Sequence, residues 1–219
     1  ARQADFVGIL NGCDYERWDP LTDPLLTNNY SIEDLTGKAG CKTALLQRAG
    51  WQEASSPLFV AVSRVTSQKG FSLLIPALQQ WLPTTQARVI MMGTGEQQFI
   101  QPLEALMSAF PAQFHFTNGF DEALSHQLQA GGDFFLMPSL FEPCGLNQIY
   151  SLRYGTVPLV RATGGLKDTV QAYPARHATG IRFDDPAVSA LLASMQQAEQ
   201  LYADRKQYTK VQQRGMQQV

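Results

Sequence analysis

Leu58-Phe59-Val60-Ala61-Val62-Ser63, an apolar run followed by helical periodicity from Lys69 to Trp81 and a stop at Pro83, is the first turn of the pattern that decides the fold. The same unit then recurs. Ala87-Arg88-Val89-Ile90-Met91-Met92 precedes a helix expected over 97–109, and Phe114-His115-Phe116 precedes one over 121–130. Asp133-Phe134-Phe135-Leu136-Met137 precedes a helix over 146–154, and Val157-Pro158-Leu159-Val160 one over 166–172. Apart from the short Phe114-His115-Phe116, these runs do not alternate apolar with polar residues, as strands buried on both faces do not, so the five successive strand–helix units imply a parallel sheet between two helical layers. This is a Rossmann-like doubly wound α/β domain, assigned to residues 51–219. Gly180-Ile181-Arg182-Phe183 adds a last strand, and Pro186 through Leu201 a long helix. The Gln-rich end beyond it reads as a solvated surface or a helix without its docking partner.

Outward in the other direction, Lys38 to Ala49 has helical spacing with Gly50 as a stop. Phe6 to about Thr36 carries Asn11-Gly12, Asp19-Pro20, Asp23-Pro24 and Asn28-Asn29, turn formers at short intervals, and reads as an ordered connector. Residues 1–50 are thus a connector plus one helix packing on the domain.

Composition narrows the chemistry. Of 219 residues 44% are hydrophobic and 16% charged, which suits a packed globule and excludes a disordered tail or coiled coil. Seventeen Lys and Arg against nineteen Asp and Glu leave a net charge of −2, without the basic excess that nucleic acid demands. No stretch approaches the roughly twenty apolar residues that span a bilayer, so neither nucleic acid nor membrane is an expected partner. Cys13, Cys41 and Cys144 form no C-x-x-C pair, which argues against structural zinc and a disulfide scaffold and fits a reducing compartment. The absence of an initiator Met at Ala1 and of a terminating feature at Val219 suggests a piece of something larger.

In an open parallel sheet ligands bind beyond the carboxyl ends of the strands, so the loops there hold the candidate residues. Arg64 and Lys69 place two cations in one strand-to-helix turn, suited to a diphosphate, although solvated loop cations look the same. Gly145-Leu146-Asn147 opens a helix whose free N–H groups would attract phosphate, and Gly164-Gly165 repeats the arrangement; taken singly, each is also an ordinary turn glycine. Gly93-Thr94-Gly95 lacks the third glycine of a dinucleotide fingerprint, Gln98 standing in its place, and no P-loop is present. Glu142, flanked by Phe141 and Pro143, could face a developing positive charge or bind sugar hydroxyls. Phe120 could stack a base or be a core aromatic. Cys144 has no local His with an orienting acid. His126 reads as a surface or half-buried packing residue, and no spacing indicates a metal.

Together, Gly8-Ile9-Leu10-Asn11-Gly12 with Asp14 and Trp18-Asp19-Pro20, Val62 to Gly70, Met137 to Gln148, and Tyr154 to Val170 resemble the bacterial glycogen synthase and plant starch synthase family. The resemblance matches the carboxyl-terminal half of a GT-B glycosyltransferase. It implies transfer of glucose from ADP-glucose to the non-reducing end of an α-1,4-glucan with retention and no required metal or cofactor, ADP being the product. Arg64 and Lys69 would stabilise the departing phosphates, and Glu142 would contact the glucosyl unit near the anomeric centre. Gly145, Leu146 and Asn147 would hold phosphate or sugar, Asn11 would lie beside the sugar, and Phe120 would take the adenine-stacking place where the family usually has Tyr. Cys13 departs from the Ile or Val common after Asn-Gly. Nothing resembles the family's amino-terminal half with its Lys-x-Gly-Gly-Leu loop, so the expected partners include that domain, and the chain alone is expected to bind ADP without catalysing transfer. A sucrose synthase-like transferase remains an alternative, although such enzymes commonly carry a second Glu where Tyr150 stands; a non-catalytic nucleotide- or glucan-binding module is another. The expected compartment is bacterial cytoplasm or plastid stroma.

Overall fold

A computed structural model of the protein describes residues 11–52 and 55–218; the start of the connector, including Gly8-Ile9-Leu10, lies outside the described residues. Six strands alternate with helices along the chain. Helix α1 (Thr36–Arg48) precedes β1 (Leu58–Val62), α2 (Phe71–Trp81), β2 (Arg88–Gly93), α3 (Gln97–Ala109) and β3 (Phe114–Asn118). Then come α4 (Glu122–Gly131), β4 (Phe134–Met137), α5 (Asn147–Arg153), β5 (Val157–Arg161), α6 (Gly164–Thr169), β6 (Ile181–Phe183), α7 (Val188–Ala203) and α8 (Arg205–Gln217).

The strands form one sheet in the order β3-β2-β1-β4-β5-β6, every pair parallel. Alternate residues of each strand face opposite layers, and both layers are apolar. Phe59, Val89, Met91, Phe134 and Leu136 join Leu74, Leu78 and Trp81 of α2, Leu103 of α3 and Met195 of α7 on one side. Val60, Ile90, Met92, Phe135 and Met137 join Leu45 and Leu46 of α1, Leu124 and Leu128 of α4 and Leu166 of α6 on the other. That two-sided burial is why the strands read as continuous apolar runs. The strand order reverses between β1 and β4, which opens a crevice at their carboxyl ends.

The end of the chain is a helix, as one of the two readings had it, but it is neither solvated nor without a docking surface. After a break at Asp204, whose side chain caps α8 by accepting from the Gln207 N–H at 3.1 Å, the helix turns back onto the domain. Tyr208, Val211, Gly215 and Met216 are buried, and the Tyr208 hydroxyl donates to the Asp133 carbonyl at 3.0 Å. Three apolar positions spaced along one face of an otherwise polar helix are enough to dock it. Helix α6 is also shorter than expected, ending at Thr169 before Val170 turns to extended backbone.

Ahead of β1, the connector is an irregular run of turns held by buried polar groups. Tyr30 donates to the Tyr154 carbonyl at 2.7 Å, and Lys38 Nζ donates to the carbonyls of Ala130 and Tyr154 and to Thr156 Oγ1. Burial brings the Lys38 ammonium down to about 7, with the Asp133 carboxylate opposing that fall.

Candidate functional site

At the reversal point a cavity of about 470 Å³ opens over the sheet, lined among others by Ser63 and Arg64 after β1, Thr94 after β2, Phe120 after β3 and Asn147 and Tyr150 of α5. Four loops far apart in sequence therefore share one cleft. Arg64 is exposed into it, and its guanidinium has no ion pair or hydrogen bond among the described residues, so its charge is open to an anion. Phe120 is 76% exposed on the rim, which decides against a core aromatic. Asn147 ties the helix start to the sheet, its side-chain amide donating to the Val62 carbonyl at 2.9 Å. The backbone N–H groups of Gly145, Leu146 and Asn147 have no hydrogen-bond partner among the described residues.

Beside this cavity lies a charged pair. Lys69 Nζ is 2.5 Å from Glu142 Oε2, with side chains only 18% and 8% exposed, and Ser139 Oγ donates to the same oxygen at 3.1 Å. Lys69, Ser63 and Asn147 line a small neighbouring pocket, so the pair and Arg64 flank the same stretch of β1 exit. The two cations thus differ: one is neutralised by Glu142, and the other is free.

The glycines explain how these loops come so close. Gly70 has φ +80°, and a Cβ there would stand 1.9 Å from the Pro138 carbonyl oxygen, so only glycine lets the β1 and β4 exits touch. Gly164 has φ +46°, and its Cβ would meet the Glu142 carbonyl oxygen at 2.1 Å. The Gly165 N–H donates to the carbonyls of Glu142 and Pro143, each at 3.2 Å. Its amide is committed to the loop, so Gly164-Gly165 seat Glu142 and do not present that N–H to a phosphate. Asn11 reaches the site from the connector, its N–H pointing at Cys144 Sγ at 3.4 Å.

Several residues of the cleft carried no assignment in the sequence. Trp18, also from the connector, lines the cavity sandwiched between Tyr150, with ring centroids 3.9 Å apart, and His126, 3.7 Å away. His126 is a packing residue but fully buried, deeper than the surface or half-buried position expected, with Nδ1 2.7 Å from Asp23 Oδ2, which also accepts from the Tyr154 hydroxyl at 2.6 Å. Burial pushes the Asp23 carboxyl up, but bonds from His126, Tyr154 and the Leu25 N–H outweigh it and hold the group below its ordinary range. The Trp18-Asp19-Pro20 motif was the available signal; no periodicity links Trp18 to residues so far along the chain. Among the described residues no three His, Cys, Asp or Glu side chains cluster to bind a metal ion, and no helix is long and apolar enough to cross a membrane.

Comparison with known proteins agrees with this architecture. The chain is 46% identical to a glycogen synthase of Aeromonas salmonicida over 98% of its length and 45% of that protein. It is 49% identical to one of Myxococcus xanthus over 95% of its length and 43% of that protein. The catalytic domain of starch synthase IV from Arabidopsis thaliana, a GT-B structure solved with ADP and acarbose, superposes with a TM-score of 0.91 at 31% identity. That match covers 97% of this chain and 45% of the plant one, so the chain spans a little under half the length of the relatives it matches. Residues 46–215 match the model for glycosyl transferases group 1, and with relatives this similar the chain belongs to that glycosyltransferase family.

Proposed function

We propose that the chain is the donor-binding half of a glucosyltransferase that moves glucose from ADP-glucose to the non-reducing end of an α-1,4-glucan with retention and without a required metal or cofactor. It works with an amino-terminal domain supplying the rest of the acceptor groove, in bacterial cytoplasm or plastid stroma. The observation that carries the reading is the unpaired Arg64 in a cavity that also receives Asn147 and Phe120, with the Lys69–Glu142 pair alongside.

In this reading the nucleotide lies across the strand ends with its base against the exposed face of Phe120 and its diphosphate at Arg64. The open N–H groups of Gly145, Leu146 and Asn147 add donors toward the phosphates, and Asn11 borders the sugar. Negative charge grows on the departing diphosphate as the glycosidic bond breaks, and fixed donors aimed at it lower the barrier without reorganising. Lys69 adds charge from the flank while its contact with the Glu142 carboxylate aims that group toward the anomeric carbon, where positive charge develops. The test is Arg64→Ala in the intact protein. Removing one preorganised contact of this kind lowers turnover by about 10²–10³, with an unchanged melting temperature because Arg64 has no structural partner. ADP-glucose should exceed UDP-glucose as donor. Retained turnover would remove Arg64 from the site, and a preference for UDP-glucose would redirect the reading to a sucrose synthase-like enzyme.

A further inference from the structure

Arg161, the last residue of β5, lies outside the cavity linings, yet its guanidinium grips the loop that ends in Glu142. Nε donates to the Ser139 carbonyl at 2.8 Å and Nη2 to the Leu140 carbonyl at 2.5 Å, while Nη1 reaches the Asp184 carbonyl at 3.4 Å beyond β6. No carboxylate pairs with it among the described residues. The sheet explains the reach: Met137 of β4 is in register with Val160, so the side chain of the next residue points forward over Ser139 and Leu140.

The rest of that loop is tied as well. Gln68 accepts from the Leu140 N–H at 2.9 Å and its side-chain amide donates to the Phe141 carbonyl at 3.1 Å. Gly165 takes the Glu142 carbonyl. Four consecutive carbonyls, from Ser139 to Glu142, thus have donors, and Arg161 supplies two of them in the fork geometry that a lysine lacks.

We infer that Arg161 is a positioning residue for Glu142, fixing the backbone that aims the carboxylate while touching no substrate itself. This rests on the role given to Glu142 under the proposed function. A loop released from two of its four carbonyl ties lets the carboxylate drift, and a displacement of about 1 Å in a reacting group lowers rate by about 10². Arg64 and the Phe120 rim are not tied to this loop by Arg161, so donor affinity is spared.

The experiment is a double-mutant cycle in the intact protein, with ADP-glucose as donor. Arg161→Met should lower kcat by about 10–100-fold with donor KM shifted less than about threefold. Arg161→Lys, keeping a charge and one bond, should fall between. In a Glu142→Gln background, Arg161→Met should cost less than about threefold further, because the group it aims is already gone. Equal losses in both backgrounds, or a rise in KM alone, would overturn the inference while leaving Glu142 in its role. Full turnover by Glu142→Gln alone would overturn the Glu142 role and the inference with it. If Arg161→Met fails to fold, judged by its thermal melt, Arg161→Lys carries the same cycle.

Discussion

Lys69→Met removes the cation that Glu142 contacts and leaves its carboxylate 8% exposed with one hydroxyl, Ser139 Oγ, for a partner. Deleting one member of a buried pair costs about 3–5 kcal/mol, because the remaining charge stays desolvated. Lys69 is itself 18% exposed, so water partly replaces it and the expected loss is about 2–4 kcal/mol. At roughly 2–4 °C per kcal/mol for a chain of this size, the melting midpoint should fall by roughly 5–15 °C. Glu142→Gln added to Lys69→Met removes the stranded charge while keeping a group for Ser139. The double variant should therefore regain most of the midpoint and none of the turnover. Thermal melts by circular dichroism and initial rates on the same preparations read both quantities. A Lys69→Met protein that melts with the parent, or a double variant that melts no higher than the single one, would show that the pair does not hold this loop.

Gly70→Ala forces a Cβ to 1.9 Å from the Pro138 oxygen at a backbone φ of +80°, so the two loops must part; turnover should fall and the thermal midpoint drop, while an unaltered protein would refute the close approach. Phe120→Ala should leave the melt unchanged, since the ring is 76% exposed, and raise donor KM by the worth of one stacked base, about 1–3 kcal/mol; an unchanged KM would remove the base from that rim. Lys38 has a folded pKa lowered to about 7, below its unfolded value, so the unfolded chain binds the extra proton above that pH. Stability from this group is therefore absent below about 7 and grows as pH rises toward 10, by at most about 1.4 kcal/mol per unit. The stability difference between the parent and Lys38→Met, measured by urea titration, should widen over that range, and a constant difference would refute it.

The strand ladder was legible because strands covered on both sides cannot alternate, and β1, β2, β4 and β5 carry that signature. The convergence of Arg64, Lys69, Glu142, Phe120 and Asn147 followed from the rule that such loops gather at strand ends. What stayed hidden depends on contacts between distant segments. The Lys69–Glu142 pairing needs the Gly70–Pro138 approach, and the seating role of Gly165 needs its amide to find a carbonyl from the preceding loop. The docking of α8 is not legible locally because its polar composition hides three apolar positions, and nothing nearby in sequence says that α5 and β5 offer them a surface. Trp18 is informative only beside Tyr150 and His126.

The small cluster of Tyr30, Cys41, Ala130, Tyr154 and Met216 fastens the segment that delivers Trp18 to the final helix. Opening α8 therefore loosens Tyr154, and with it the Asp23 carboxylate that steadies His126 behind the indole. Because these contacts are shared, opening of the far helix is expected to be coupled to the cleft wall. A nucleotide occupying the cleft would accordingly slow amide exchange along α8, although no residue of that helix lines the cavity.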